Sequence, residues 1–303
     1  MLRASVSISG FQSGQFLCLV RETWNCPADR AVGAYSGCNF TRRTTVATIV
    51  SYEPGTPSWV DLATTDLAAA KAFYMGLFGW EATDVPSPEG AYSMFTKEGT
   101  AVGAVYAMSS EMLENEIPPH WATYITVANL EETLTRVEAA GGSVVQPPHE
   151  IAGSGRTAAV QDPAAAVFAL WEPGGHIGAQ RVNEPGSLVW NELQNYDTDT
   201  AKAFYADVLG WTTVTGEIPT GEYTTFMLGD RPVAGMMAIQ PEWGPVPPNW
   251  SIYLGVEDVA VACDYVADNG GRVEVPPMEV PGVGVFALLQ DPQGAYFYGI
   301  QGA

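Results

Sequence analysis

The chain has 303 residues, of which 47% are hydrophobic and 16% charged, a globular composition large enough to bury two ordinary cores. No apolar run approaches the roughly 20 residues that a spanning helix needs, which excludes an integral helical membrane protein. The formal charge of −21 disfavours nucleic acid and anionic membrane as partners and leaves neutral or cationic small molecules, although acidity also serves solubility alone.

Residues 1–45 stand apart. They carry +3, leaving −24 on the remainder, and hold Cys18, Cys26 and Cys38 of the four cysteines. The short apolar piece Phe16–Val20 lacks a basic start and is cut off by Arg21 and Glu22, so it does not read as a secretory signal. Cysteine spacings of 8 and 12 with no nearby histidine are poor for zinc. The segment is expected to be a weakly ordered upstream extension, as from a start site placed too early. With Cys263 alone in an apolar helical stretch, no paired set remains, and a reduced, cytoplasmic protein is expected.

From Trp59 the pattern becomes regular. Residues 59–63 alternate as a strand, Thr65 or Asp66 can cap a helix, and Leu67, Ala70, Phe73, Tyr74 and Leu77 recur at helical spacing until Gly79. Residues 92–95 and 101–108 read as strands around a Lys-Glu-Gly-Thr turn, completing a unit of one strand, one helix and three strands. The order then recurs, with a strand over 121–127, a helix over 130–140 ended by Gly141-Gly142, and strands at 143–146, 157–161 and 167–171. Residues 173–186, rich in Pro and Gly, read as an interdomain linker.

The second half repeats the first. Trp59–Trp80 and Trp190–Trp211 share ten of 22 positions without a gap at an offset of 131. At an offset of 129, Pro118-Pro119-His120-Trp121 meets Pro247-Pro248-Asn249-Trp250, and Gln161-Asp162-Pro163 meets Gln290-Asp291-Pro292. The predicted class is therefore α+β, with tandem domains over 50–172 and 187–303, each a pair of βαβββ modules.

A tryptophan-headed strand, the pattern D-x4-K-A-F-Y-x4-G-W, a mid-domain helix ending in Gly-Gly and a late Asp-Pro before an apolar strand resemble the glyoxalase/bleomycin resistance/extradiol dioxygenase superfamily, the vicinal oxygen chelate proteins. The likeness covers residues 50–303 in two copies. It implies that each module pair curls into a half-barrel around a cleft, which in metal-dependent members holds a divalent ion on His, Gln or Glu. Here the opening-strand position carries Trp59 and Trp190, its partner in the second module Ala122 and Ser251, and the last strand Ala169 and Tyr298. Indole, methyl, hydroxyl and phenol do not hold a dication, so neither a metal nor another cofactor is expected. His120, His149 and His176 share no evident cleft face.

Strand alternation puts Trp59, Asp61 and Ala63 on one face, and likewise Trp190, Glu192 and Gln194. If that face lines the cleft, Tyr92, Tyr124 and Phe168 join it in the first domain, and Tyr223, Ser251, Tyr253, Phe297 and Tyr298 in the second. Such a lining suits a flat aromatic or polyketide-like ligand. By contrast, Phe73, Tyr74, Trp80 and their counterparts Phe204, Tyr205 and Trp211 read as core, and Trp121 and Trp250 are open to the same reading.

Glu192 allows two roles. A buried carboxyl beside Trp190 can act as a general acid or base, or it can be structural, accepting hydrogen bonds or pairing with Lys202 or Arg181. The second domain, with more polar groups, is where ligand or chemistry is expected. The first functional reading is a metal-free small-molecule binder of the drug-sequestering kind. The alternative is a metal-independent isomerase, lyase or tailoring enzyme, of the sort often labelled hydroxylase, with Glu192 moving a proton and Tyr298 or Tyr223 polarising an oxygen. A third is an interaction module whose clefts are filled by their own side chains. A monomeric pseudo-dimer is the expected assembly, with a homodimer as the other possibility.

Overall fold

The computed structural model describes residues 48–85, 91–218 and 221–302, so the expected extension over residues 1–45 lies outside the described residues. The first half runs β1 (Pro57–Thr64), α1 (Leu67–Phe78), β2 (Glu81–Val85), β3 (Tyr92–Lys97), β4 (Thr100–Ala107), α2 (Ser110–Glu114), β5 (His120–Thr126), α3 (Leu130–Ala139), β6 (Ser143–Ile151), β7 (Gly155–Gln161) and β8 (Val167–Pro173). The second half runs β9 (Leu188–Asn195), α4 (Thr198–Leu209), β10 (Thr212–Ile218), β11 (Gly221–Leu228), β12 (Arg231–Ala238), a 3-10 turn at Pro241–Trp243, β13 (Asn249–Gly255), α5 (Val259–Asp268), β14 (Arg272–Val280), β15 (Gly284–Gln290) and β16 (Tyr296–Gly302).

Local chemistry sets the ends of α1 and α4. Asp66 accepts from Ala69 N (3.0 Å) and Asp197 from Thr200 N (3.0 Å), each filling an orphan donor of its helix's first turn. Gly79 and Gly210 close the helices at φ of 66° and 73°, a left-handed conformation that a β-carbon would strain.

The strands form two eight-stranded mixed sheets with matching orders, β2-β3-β4-β1-β5-β8-β7-β6 and β10-β11-β12-β9-β13-β16-β15-β14. This is the α+β tandem architecture expected, with both sheets open rather than closed into barrels. In each, the opening strands of the two modules run antiparallel at the centre, pairing Trp59 with Tyr124 and Trp190 with Tyr253.

The cores do not follow the repeat. One joins Leu62, Phe73, Tyr74, Phe78 and Trp80 of the first module to Ile252, Val266, Leu289 and Phe297 of the last. The other joins Leu134, Phe168 and Leu170 to Leu193, Phe204, Tyr205 and Trp211. Each domain therefore completes its burial only against the other.

Hydrogen bonds fasten this joint in two related copies. Trp121 Nε1 donates to Tyr74 Oη (3.0 Å), which donates to Asp291 Oδ2 (3.0 Å). Trp250 Nε1 donates to Tyr205 Oη (2.9 Å), which donates to Asp162 Oδ2 (3.1 Å). Trp80 and Trp211 cross the joint as well, donating to Gly186 O and Gly55 O at 2.8 Å each. These side chains are buried, so an unmade bond here would carry the full cost of desolvation.

The segment between the sheets does more than link them. Ala179 N donates to Ser58 O (2.7 Å), Gln180 N to Ala101 O (2.8 Å), and Tyr52 Oη to Ala179 O (2.6 Å). These bonds hold residues 176–182 across one end of the first sheet. His176 lies edge-on to Trp59 with ring centroids 4.5 Å apart, and Ala179 and Val182 pack around the same indole.

Candidate functional site

With one face of each sheet committed to the shared cores, the other carries the alternate residues. In the first domain Asp61 lies opposite Ala104 on β4 and Ala122 on β5, and Tyr124 lies opposite Ala169 on β8. In the second, Glu192 lies opposite Gly235 and Ser251, and Tyr253 opposite Tyr298.

Each sheet holds a buried carboxyl clasped by two tyrosines, one of which an indole supports. Tyr124 Oη donates to Asp61 Oδ2 at 2.9 Å and Tyr92 Oη to the same oxygen at 3.4 Å, while Trp59 Nε1 donates to Tyr92 Oη at 3.4 Å. In the second domain Tyr253 Oη donates to Glu192 Oε1 at 3.0 Å, Tyr223 hydrogen-bonds the same carboxyl, and Trp190 Nε1 donates to Tyr223 Oη at 3.0 Å.

Burial governs the protonation of both groups. Asp61 is 2% exposed and Glu192 3%. Loss of water pushes Asp61 up to about 7 against the smaller opposing pull of its two tyrosines. Glu192 is raised for the same reason, against bonds from Gln194, Tyr223 and Tyr253. Burial and the neighbouring carboxyl charge push the phenols of Tyr92, Tyr124, Tyr223 and Tyr253 well up, so all four remain donors.

The second constellation is the more complete. Gln194 Nε2 donates to Tyr298 Oη (3.0 Å) and to Glu192 Oε1 (3.4 Å), and the rings of Tyr253 and Tyr298 stack at 4.3 Å, 6° from parallel. Ser251 Oγ bonds Asn249 Oδ1 (2.8 Å), and Asn249 Nδ2 reaches Gln194 Oε1 (3.5 Å). A β-carbon at Gly235 would stand 1.9 Å from Tyr223 Oη and 2.7 Å from Trp190 Nε1, so only glycine lets these two close over the strand. The first domain has Ala104 there, and its corresponding indole–phenol bond is the longer one.

Most of the residues expected at the cleft do share this face: Trp59, Asp61, Tyr92 and Tyr124 in one domain, and Trp190, Glu192, Tyr223, Ser251, Tyr253 and Tyr298 in the other. Phe297 does not. Neighbours on a strand point to opposite faces, and with Tyr298 beside Tyr253, Phe297 turns into the shared core at 1% exposure. Phe168 turns inward likewise, next to Ala169. The pairings considered for Glu192 are not formed, since Lys202 pairs with Asp199 and Arg181 with Glu98 and Glu184.

Three participants escaped the sequence reading. The amide of Gln194 was visible by strand parity, but its bonds to Glu192 and Tyr298 were not. The sequence marks Asn249 only as the counterpart of His120. His176 reads as linker, yet it flanks Trp59 and Trp171.

Among the described residues no three His, Cys, Asp or Glu side chains come together as a metal cluster would require. The strand positions implied for metal ligands carry Trp59, Ala122 and Ala169 in one sheet and Trp190, Ser251 and Tyr298 in the other, a donor set that does not fit a divalent ion. The chain also contains no described helix long and apolar enough to cross a membrane.

Comparison with known proteins agrees with the sheet topology. The profile of the "Glyoxalase/Bleomycin resistance protein/Dioxygenase superfamily" matches residues 56–170 and 187–297. Over 249 residues the chain is 43% identical to "Putative glyoxylase CFP32" of Mycobacterium tuberculosis, spanning 81% of this chain and 94% of that protein. It is 35% identical over 260 residues to "Anthracycline biosynthesis protein DauV" of Streptomyces sp., covering 81% and 93%. The Mn(II)-bound glyoxalase from Novosphingobium aromaticivorans superposes with a TM-score of 0.58 at 17% identity, over 82% of each chain, a likeness of fold. The chain therefore belongs to the glyoxalase/bleomycin resistance/dioxygenase superfamily, as a tandem two-domain member.

Proposed function

We propose that this protein binds a flat aromatic or polyketide-like small molecule on the tyrosine- and tryptophan-lined sheet face, without a metal ion. The observation that carries this reading is the recurrence, in both domains, of a buried carboxyl held by two phenols beside an indole where metal-dependent relatives would place ligands. Aromatic side chains offer stacking area at little entropic cost, and a single protonatable carboxyl orients the guest. A relative named for anthracycline biosynthesis fits such a guest, since anthracyclines are fused-ring polyketides.

A second reading rests on Glu192. Its raised proton affinity and its contact with Tyr253 and Tyr223 suit a proton shuttle in an isomerase, lyase or tailoring step, with the phenols polarising an oxygen of the substrate.

Native mass spectrometry of the full chain, with elemental analysis, tests the first reading. A retained aromatic mass without stoichiometric metal is expected, whereas one divalent metal ion per chain would overturn it. Turnover lost in Glu192→Gln with binding retained would favour the second reading.

A further inference from the structure

Two buried polar atoms lack a hydrogen-bond partner among the described residues in the neighbourhood of β1: Asp61 Oδ1 and His176 Nε2. Asp61 shares the face of Trp59 two residues along β1, and the His176 ring meets that indole edge-on at 4.5 Å. Buried polar atoms are rarely left unpaired, because each forfeits water and receives nothing in return. Trp59 relates the two, touching the His176 ring and sharing the hydroxyl of Tyr92 with Asp61, and a guest beside it would supply what both lack.

The repeat shows what is missing there. In the second domain Gln194, Tyr298 and Ser251 build the network around Glu192. Their counterparts in the first domain are Ala63, Ala169 and Ala122, three methyl groups with no polar atom to offer. Tyr92 is partly buried, stacks on Tyr106 and makes its two hydrogen bonds, to Asp61 and from Trp59, at 3.4 Å each, near the limit of hydrogen bonding.

Resting on the reading above, we infer that the ligand site lies in the first domain and takes a planar aromatic primary amine, its ring against Trp59 and its ammonium donating to Asp61 Oδ1 and His176 Nε2. An ammonium supplies the N–H groups that a carboxylate and a neutral imidazole both accept, and a charge-assisted bond is the stronger kind. Burial lowers the proton affinity of His176 and so keeps its imidazole neutral, as an acceptor. The positive charge also sits well with the chain's net −21 and near an indole face.

The test uses two matched fluorescent probes, 1-pyrenemethylamine and 1-pyrenemethanol, titrated by anisotropy into the full chain at about pH 8, above the value near 7 to which burial raises Asp61, so that its carboxyl is ionised. Wild type should bind the amine at least about tenfold more tightly than the alcohol, Asp61→Asn should erase that preference, and His176→Phe should weaken the amine alone. Ala169→Tyr, which puts into the first cleft the bulk that the second carries, should exclude both probes even if Asp61→Asn folds poorly. Equal binding of both probes by wild type overturns this inference while leaving the aromatic-ligand reading intact. A preference that survives Asp61→Asn, or vanishes in Glu192→Gln instead, also overturns it. Failure of wild type to bind either probe defeats both readings.

Discussion

The two cleft faces descend from one pattern and differ in how they finish it. Around Glu192, Tyr253, Tyr223, Gln194, Tyr298, Asn249 and Ser251 bond to the carboxyl or to one another, and Gly235 lets Trp190 and Tyr223 close over it. Around Asp61, two tyrosines serve one oxygen, the other oxygen has no hydrogen-bond partner among the described residues, and alanines occupy the remaining positions. A count of polar residues favours the second domain as the functional one. The pairing of those residues points the other way, because a closed network has nothing left to offer a guest.

The indoles separate the two faces most strongly. Trp59 is 4% exposed beneath His176 and Ala179, whereas Trp190 is half-buried. Trp59→Ala should lower stability by roughly 3–5 kcal/mol in urea unfolding, by analogy with large-to-small core changes. Trp190→Ala should cost only about 1–2 kcal/mol for its smaller buried area. Equal losses would break the comparison.

Next in size is a pH effect. Folding raises Asp61 from 3.8 to about 7, so the native state holds a proton that the unfolded chain releases. The favourable contribution is present at acid pH and is lost as pH rises through this window. Wild type should therefore lose roughly 2–3 kcal/mol of stability from this group between about pH 5 and about pH 8. Asp61→Asn should flatten that slope, and Glu192→Gln should move it in the same direction, since its carboxyl is also raised. A slope unchanged in Asp61→Asn would show that this carboxyl is not the buried acid.

The smallest contrast lies in the tyrosines. Tyr124→Phe leaves Asp61 Oδ2 with only the 3.4 Å bond from Tyr92, and should cost about 1–2 kcal/mol. Tyr253→Phe leaves Glu192 with Tyr223 and Gln194, and should cost less than about 1 kcal/mol. Thermal melts at matched pH would rank the pair, and a reversed order would mean that Tyr223 and Gln194 do not compensate for the lost Tyr253 hydroxyl.

The residues that make the likeness legible turn out to serve the joint. Tyr74 and Tyr205 of the Phe-Tyr pairs, Trp121 and Trp250 after the paired prolines, and Asp162 and Asp291 of Gln-Asp-Pro form the two hydrogen-bonded chains between the domains. The cleft itself diverges between copies at Ala63 and Gln194, Ala122 and Ser251, and Ala169 and Tyr298. Much of the family likeness is thus carried by helix, turn and core-facing strand residues, whereas the candidate site lies on the opposite strand face.

Local periodicity determined much. Alternation alone put Trp59 with Asp61 and Trp190 with Glu192, Asp66 capped its helix as expected, Gly79 ended it, and the repeat specified two like sheets, because these features depend only on neighbours a few residues away. Alternation also ruled out placing both Phe297 and Tyr298 in one cleft, a constraint that aromatic composition obscured. The tertiary structure decided what depends on distant partners: which tyrosines reach Asp61 and Glu192, how two repeats share two cores, and where an aperiodic stretch sets His176. Those outcomes arise from side chains brought together from strands far apart in the chain, 31 residues for Tyr92 with Asp61 and 61 for Tyr253 with Glu192, and no spacing along the chain encodes them.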